Sequence, residues 1–267
     1  MEATTPGLNR TGASASPFGS QAMMDAVSDL SPPMPIDTSE MRAERMRYIN
    51  EADPVGSIPL PASMKGMVKT GMAKLKGGHP SIFLDKIGER IAFERTGTRL
   101  YDALLTKYEA VSGTEGGLLA PAEEAIVKAD GGMPLHIAGE TAAQTLARIR
   151  DEEHQHFELL CDAMKQLGGD PTAQTPCADV TATASMGLMQ VVTDPRTTLA
   201  QSLNAMLVAE LTDNAGWELL VQLTDEAGES DLAGQFLSAL SQEQEHLLIV
   251  KSWLTMLVSE GAGTPAV

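Results

Sequence analysis

Four stretches of this chain repeat apolar residues at helical spacing, and each interrupts its apolar stripe with a carboxylate near the middle. In the first (about 82–111), Ile87, Ile91, Glu94, Thr98, Tyr101 and Leu105 share a face. The second (about 140–167) runs Leu146, Ile149, Glu153, His156, Phe157, Leu160, Met164. The third (about 197–225) runs Leu199, Leu203, Met206, Glu210, Asp213, Trp217, Leu220. The fourth (about 230–259) runs Phe236, Leu240, Glu243, His246, Leu247, Val250, Trp253, Leu257. An ionised carboxylate inside an apolar core costs several kcal/mol unless it is paired or bound to a metal. Converging glutamates also raise one another's pKa. Basic residues to cancel them are few. Arg90, Arg95, Arg99 and Arg148 read as lying mostly off the stripes, and the last two stretches offer little beyond Lys251. Two divalent cations neutralise four carboxylates directly. Glu and His at i and i+3 lie on one helix face, so both reach a single metal pair. Oxygen and imidazole donors suit iron or manganese.

Spacing gives a second argument. Glu210 and Glu243 are 33 residues apart, with a short turn around Gly228 between them. Two half-helices of about 14 residues rising 1.5 Å each return the chain to the same height. Glu94 and Glu153 are 59 apart; the excess of 26 fits the Gly- and Pro-containing segment 112–139 as an insertion at the tip. Its middle, Pro121 to Lys128, reads as one or two helical turns. Gly168-Gly169-Asp170-Pro171 stops the second helix. The long segment from Gly168 to Arg196 is what a crossover along a bundle needs. The expected fold is all-α.

Composition agrees and sets limits. Aromatics are 4%, with 15 methionines, which suits helix-on-helix packing better than a β-sandwich. The net charge of −17 argues against nucleic acid as a partner. Cys161 and Cys177 form no C-x-x-C pair, so neither a disulfide framework nor a rubredoxin-type module is expected. No secretory signal is visible in MEATTPGLNRTG and no apolar run reaches bilayer length. A cytoplasmic protein without a membrane span is the expectation. Residues 1–37 read as a disordered tail. Residues 38–81 form an N-terminal extension of short helices, including Met41 to Glu51. The bundle occupies 82–260, and 261–267 is a C-terminal tail. Within the extension, Met64, Met67, Val68, Met72 and Leu75 share a face among Lys65, Lys69, Lys74 and Lys76. That basic stretch reads as a docking helix or as a contact for a partner or membrane surface.

Glu94 in GERIAFERTGTRLY, Glu153 and His156 in RIRDEEHQHFELL, Glu210 in LNAMLVAELTDNAGW, and Glu243 and His246 in SALSQEQEHLLIV together resemble the ferritin-like superfamily. Its di-iron carboxylate bundles take one Glu from each of two helices and Glu-x-x-His from each of the other two. Two complete Glu-x-x-His motifs look more like bacterioferritin, rubrerythrin or manganese catalase than like the asymmetric ferritin site. The resemblance implies a ferritin-like four-helix bundle with a long second-to-third crossover, an insertion between the first two helices and an N-terminal extension. It implies two iron ions, manganese being the alternative, bridged by Glu153 and Glu243. Glu94 and His156 complete one site; Glu210 and His246 complete the other. Asp213, one turn after Glu210, is either an extra ligand or a partner for a histidine. Tyr101 is either a donor or electron relay beside the metals or an ordinary core tyrosine. Glu152 and His154 read as solvated, and Trp217 and Trp253 as core. The implied chemistry is oxidoreductase, with oxygen or peroxide and an external electron donor, in a homodimer at the level of the family. Two other functions suit the same residues. One is a carrier that loads iron without turnover. The other is an adaptor stapled by metal and recruited to a partner through the N-terminal tail.

Overall fold

The computed structural model describes residues 15–34, 37–57, 80–115, 119–130 and 139–260. Among them are eight helices and no strand. The basic stretch 63–75, His79 and His136 lie outside the described residues. No described helix is long and apolar enough to cross a membrane.

The chain divides into two compact units, Met1–Pro54 and Val55–Val267. The first carries α1 (Pro17–Leu30) and α2 (Ser39–Glu51), neither of which buries a side chain. Helix α1 falls in the segment read as a disordered tail. Pro17 in its first turn is pre-set for helix, and Gln21, Ala22, Met23 and Met24 are good helix formers. Propensity and backbone bonding therefore suffice for a helix without a core.

The second unit contains α3 (Pro80–Glu115), α4 (Ala122–Asp130), α5 (Ala142–Gln166), α6 (Pro176–Thr193), α7 (Leu199–Glu226) and α8 (Ser230–Ser259). Helices α5 and α7 start at capping boxes, Thr141 with Gln144 and Thr198 with Gln201, which satisfy otherwise orphaned backbone groups. Both end on a glycine at positive φ, Gly168 at 87° and Gly228 at 73°. The following amides bond back to Met164 and Thr224.

Two apolar clusters show how the four long helices run. One joins Phe83, Leu84 and Ile87 at the start of α3 with Leu160 and Met164 late in α5, Trp217 and Leu220 late in α7, and Leu232 and Phe236 early in α8. The other joins Leu100 and Leu104 of α3 with Leu146, Leu203, Met206, Trp253 and Leu257. So α3 and α8 point one way and α5 and α7 the other. Helices α3 and α5 pair closely, as do α7 and α8; α3 also faces α7.

Because α5 and α7 are parallel, the chain between them must return along the molecule. Helix α6 does this. Its 18 residues span about 27 Å and pack against α3 and α7. Both ends are tied to α3. The Cys177 amide donates to Asp85 Oδ1 at 3.0 Å, and Lys107 Nζ donates to the carbonyls of Asp194 and Thr197 at 2.9 and 3.2 Å. The insertion 112–139 carries α4, longer than the expected turn or two. It packs on α8, where Trp253 Nε1 donates to the Ala120 carbonyl at 2.9 Å.

Candidate metal centre

Between the two clusters, at mid-height, Glu94, Glu153, His156, Glu210, Glu243 and His246 meet, none more than 3% exposed. Four helices deliver them: Glu94 on α3, Glu153 and His156 on α5, Glu210 on α7, Glu243 and His246 on α8. Glu153, Glu210, Glu243 and His246 each offer a ligand atom within 4.8 Å of one another. So do Glu94, His156 and Glu243, and so do Glu94, Glu153, Asp213 and Glu243. Glu243 belongs to all three groups and Glu153 to two.

Glu94, Glu210, His156 and His246 are each engaged at an outer atom and turn the other atom inward. Glu94 Oε1 accepts from Arg90 Nη2 at 2.6 Å and from Trp217 Nε1 at 2.9 Å. Glu210 Oε1 accepts from Tyr101 Oη at 2.5 Å. His156 Nε2 faces Gln242 Oε1 at 3.0 Å and His246 Nε2 faces Glu152 Oε2 at 2.8 Å, which turns both Nδ1 atoms inward. The inward atoms are Glu94 Oε2, Glu153 Oε2, Glu210 Oε2, both Glu243 oxygens and the two Nδ1 atoms; all are buried with no hydrogen-bond partner. His156 Nδ1 lies 2.6 Å from Glu243 Oε1 and 3.7 Å from Glu94 Oε2. His246 Nδ1 lies 3.4 Å from Glu243 Oε2 and 3.6 Å from Glu153 Oε1. These atoms look into one shared space rather than along a donor–acceptor line.

These donors and acceptors lack good hydrogen-bond geometry, and ion pairing between the two histidines and Glu243 offsets only part of the cost of burying them. A bound cation could take donors from this buried group. The donor set of carboxylate oxygens and imidazole nitrogens fits divalent iron or manganese, and the second ring nitrogen of each histidine has the outer partner that metal-binding histidines require.

Protonation compensates in the metal-free protein. Burial and then the Glu243 charge push Glu210 up to about 8 and Glu153 well above the carboxylate range. Burial opposes charge on the imidazoles, but neighbouring carboxylates outweigh it. Glu243 and Glu94 raise His156 to about 11, and Glu243 with Glu152 and Glu153 raises His246 well above its usual value. For Glu243, burial is overcome by His246 and His156, which hold it down at about 2.

Three readings of the sequence change. Arg90 is not off the stripe: it is 2% exposed and pairs with both Glu94 and Asp213. It stands four residues before Glu94 and so on the same face, and Gly216 makes room for it, since a Cβ there would sit 2.6 Å from Arg90 Nη1. Asp213 does not bond a histidine, because the guanidinium takes it instead. Glu152 is half-buried, not solvated, and supports His246. Trp217 is core, as read from the sequence, but it also donates to Glu94. Tyr101, fully buried, touches the cluster through Glu210. Gly97 on α3 leaves space that Glu153 Oε2 fills, and a Cβ there would collide with it. Gly97, Gly216 and Gln242 were not singled out by sequence; their roles depend on which residue the facing helix presents.

No protein-family model, no curated protein and no solved structure matches this chain.

Proposed function

We propose that the chain is a ferritin-like four-helix protein holding two metal ions, iron with manganese as the alternative, and that it carries out oxidoreductase chemistry with oxygen or peroxide. The observation that supports this reading most is the buried convergence of four glutamates and two histidines, with Glu94, Glu210, His156 and His246 each engaged at an outer atom. Glu153 and Glu243 bridge the two ions. Glu94 Oε2 and His156 Nδ1 complete one position; Glu210 Oε2 and His246 Nδ1 complete the other. Arg90 and Trp217 on Glu94, and Tyr101 on Glu210, hold these terminal carboxylates to a single donor oxygen each. With one oxygen from each terminal carboxylate, the six residues would leave room at each ion for a small co-substrate.

Iron held by these residues would supply electrons to oxygen or peroxide. The chain's part is to exclude bulk water with the apolar clusters above and below and to keep the donors fixed. Tyr101 Oη, 2.5 Å from Glu210, is the nearest phenol that can hold or pass a proton. The test is anaerobic loading with ferrous iron, then oxygen or hydrogen peroxide. Two irons per chain and a change in the near-ultraviolet or visible spectrum are expected. Two irons with no reaction would make the protein a carrier, and failure to bind iron or manganese would remove the reading.

A further inference from the structure

The two halves of the centre are built alike, except behind the histidines. On α5 the order is Glu152-Glu153-x-x-His156, and on α8 it is Gln242-Glu243-x-x-His246. The residue before each ligand glutamate crosses to the histidine of the other helix. Glu152 reaches His246 Nε2 at 2.8 Å; Gln242 reaches His156 Nε2 at 3.0 Å. One histidine is therefore backed by a carboxylate and the other by an uncharged amide. A carboxylate behind an imidazole makes the opposite nitrogen a stronger metal donor.

The terminal glutamates differ in the same sense. Glu94 shares its Oε1 with the Arg90 guanidinium and the Trp217 indole, so positive charge draws on its donor strength. Glu210 receives only the neutral Tyr101 hydroxyl. Asp213 adds a carboxylate on the Glu94 side, but it is bound to the same guanidinium. Glu152 has a cation of its own in Arg148, at 2.8 Å, yet Arg148 is divided among three carboxylates, with Glu140 at 3.1 Å and Glu245 at 2.9 Å. The charge behind His246 is thus only partly cancelled.

We propose that the two metal positions are unequal: the one built on His246 and Glu210 fills first and holds its ion at least about tenfold tighter than the one built on His156 and Glu94. This rests on the two-ion reading above. Manganese(II) is the probe. Crystals of the full chain loaded with one equivalent are measured for anomalous scattering, and calorimetric titration gives the two binding steps in solution. Occupancy chiefly beside His246 at one equivalent is expected, as are two resolved steps. Equal occupancy, or occupancy beside His156, overturns the ranking while leaving two-ion binding intact. Absence of manganese from both positions at two equivalents overturns the two-ion reading itself. In the E152Q variant the tight step weakens about 10- to 100-fold and the weak step stays. In Q242E the weak step tightens, and the double swap E152Q/Q242E moves first occupancy to His156. Unchanged steps in a folded E152Q protein overturn the cause assigned here. If E152Q does not fold, the wild-type occupancy decides alone.

Discussion

Loading the centre with two divalent ions at pH 7 is expected to expel about two protons per chain or more, from Glu210 and His156. The count follows from which atoms must coordinate. Glu153 is held protonated well above the carboxylate range, Glu210 titrates at about 8, and His156 at about 11, with His246 also well above its usual value. Glu210 and His156 each have a proton to lose before the inward atom can bind a metal; Glu243, at about 2, has none. The release falls by about one proton near pH 9, where Glu210 is already ionised. Between pH 6 and 7 the affinity for the ion pair then rises by roughly 10² per pH unit or more. The same shifts set the stability of the metal-free protein. Glu210 is raised from 4.5, so its contribution is complete below 4.5 and lost as pH rises through about 8, on the order of 5 kcal/mol. His156 follows the same sign, complete below 6.5 and lost toward 11. Glu243 has the opposite sign, complete above 4.5 and lost as pH falls through about 2. With its centre unfilled the protein should therefore be most stable near pH 4.5 and weaken steadily toward pH 9, where metal restores it most. Proton release is read with an indicator dye in weak buffer during anaerobic titration. Release of one proton or none per two ions would refute the assignment of these groups.

Three substitutions probe the supports. Gly97→Ala places a Cβ where Glu153 Oε2 lies, so both ions should be lost or bound weakly while the helical circular dichroism stays, given the better helix propensity of alanine; unchanged binding of two ions would show that Glu153 is not needed there. Tyr101→Phe removes the only neutral donor on Glu210 and should lower stability by about 1–3 kcal/mol in chemical denaturation, with no change counting against that bond. Arg90→Met strands Asp213 and Glu94 and should cost about 3–5 kcal/mol. Adding Asp213→Asn should recover part of that loss; additive effects in the cycle would mean that the pair is not coupled.

The long helices were legible because a stripe at 3.6-residue spacing shows in sequence whatever it packs against. Ser230–Ser259 coincides with the expected fourth pattern, and the other three begin or end within a few residues of theirs. Helix α6 was not legible. It buries only Ala178 and Val192, so no stripe marks it, and its signals are the Thr175 cap and Pro176 in the first turn. The six converging residues stood out because a carboxylate is anomalous at a core position, and anomaly is visible without a partner. What supports them was hidden for the opposite reason. Glu152 and Gln242 look like ordinary polar positions until the neighbouring helix supplies a histidine. Arg90 does share the face of Glu94, but a long side chain does not show in sequence whether it reaches inward or to solvent.

The central claim is that these buried acids exist to hold cations. Crystals of the protein loaded anaerobically with iron, measured at the iron absorption edge, test it most directly. Two anomalous peaks about 3.5–4 Å apart, each touching Glu153 and Glu243, are the expected result. A centre that excludes iron and manganese at saturating concentration, with the carboxylates bonded only to Arg90, the histidines and water, would contradict it.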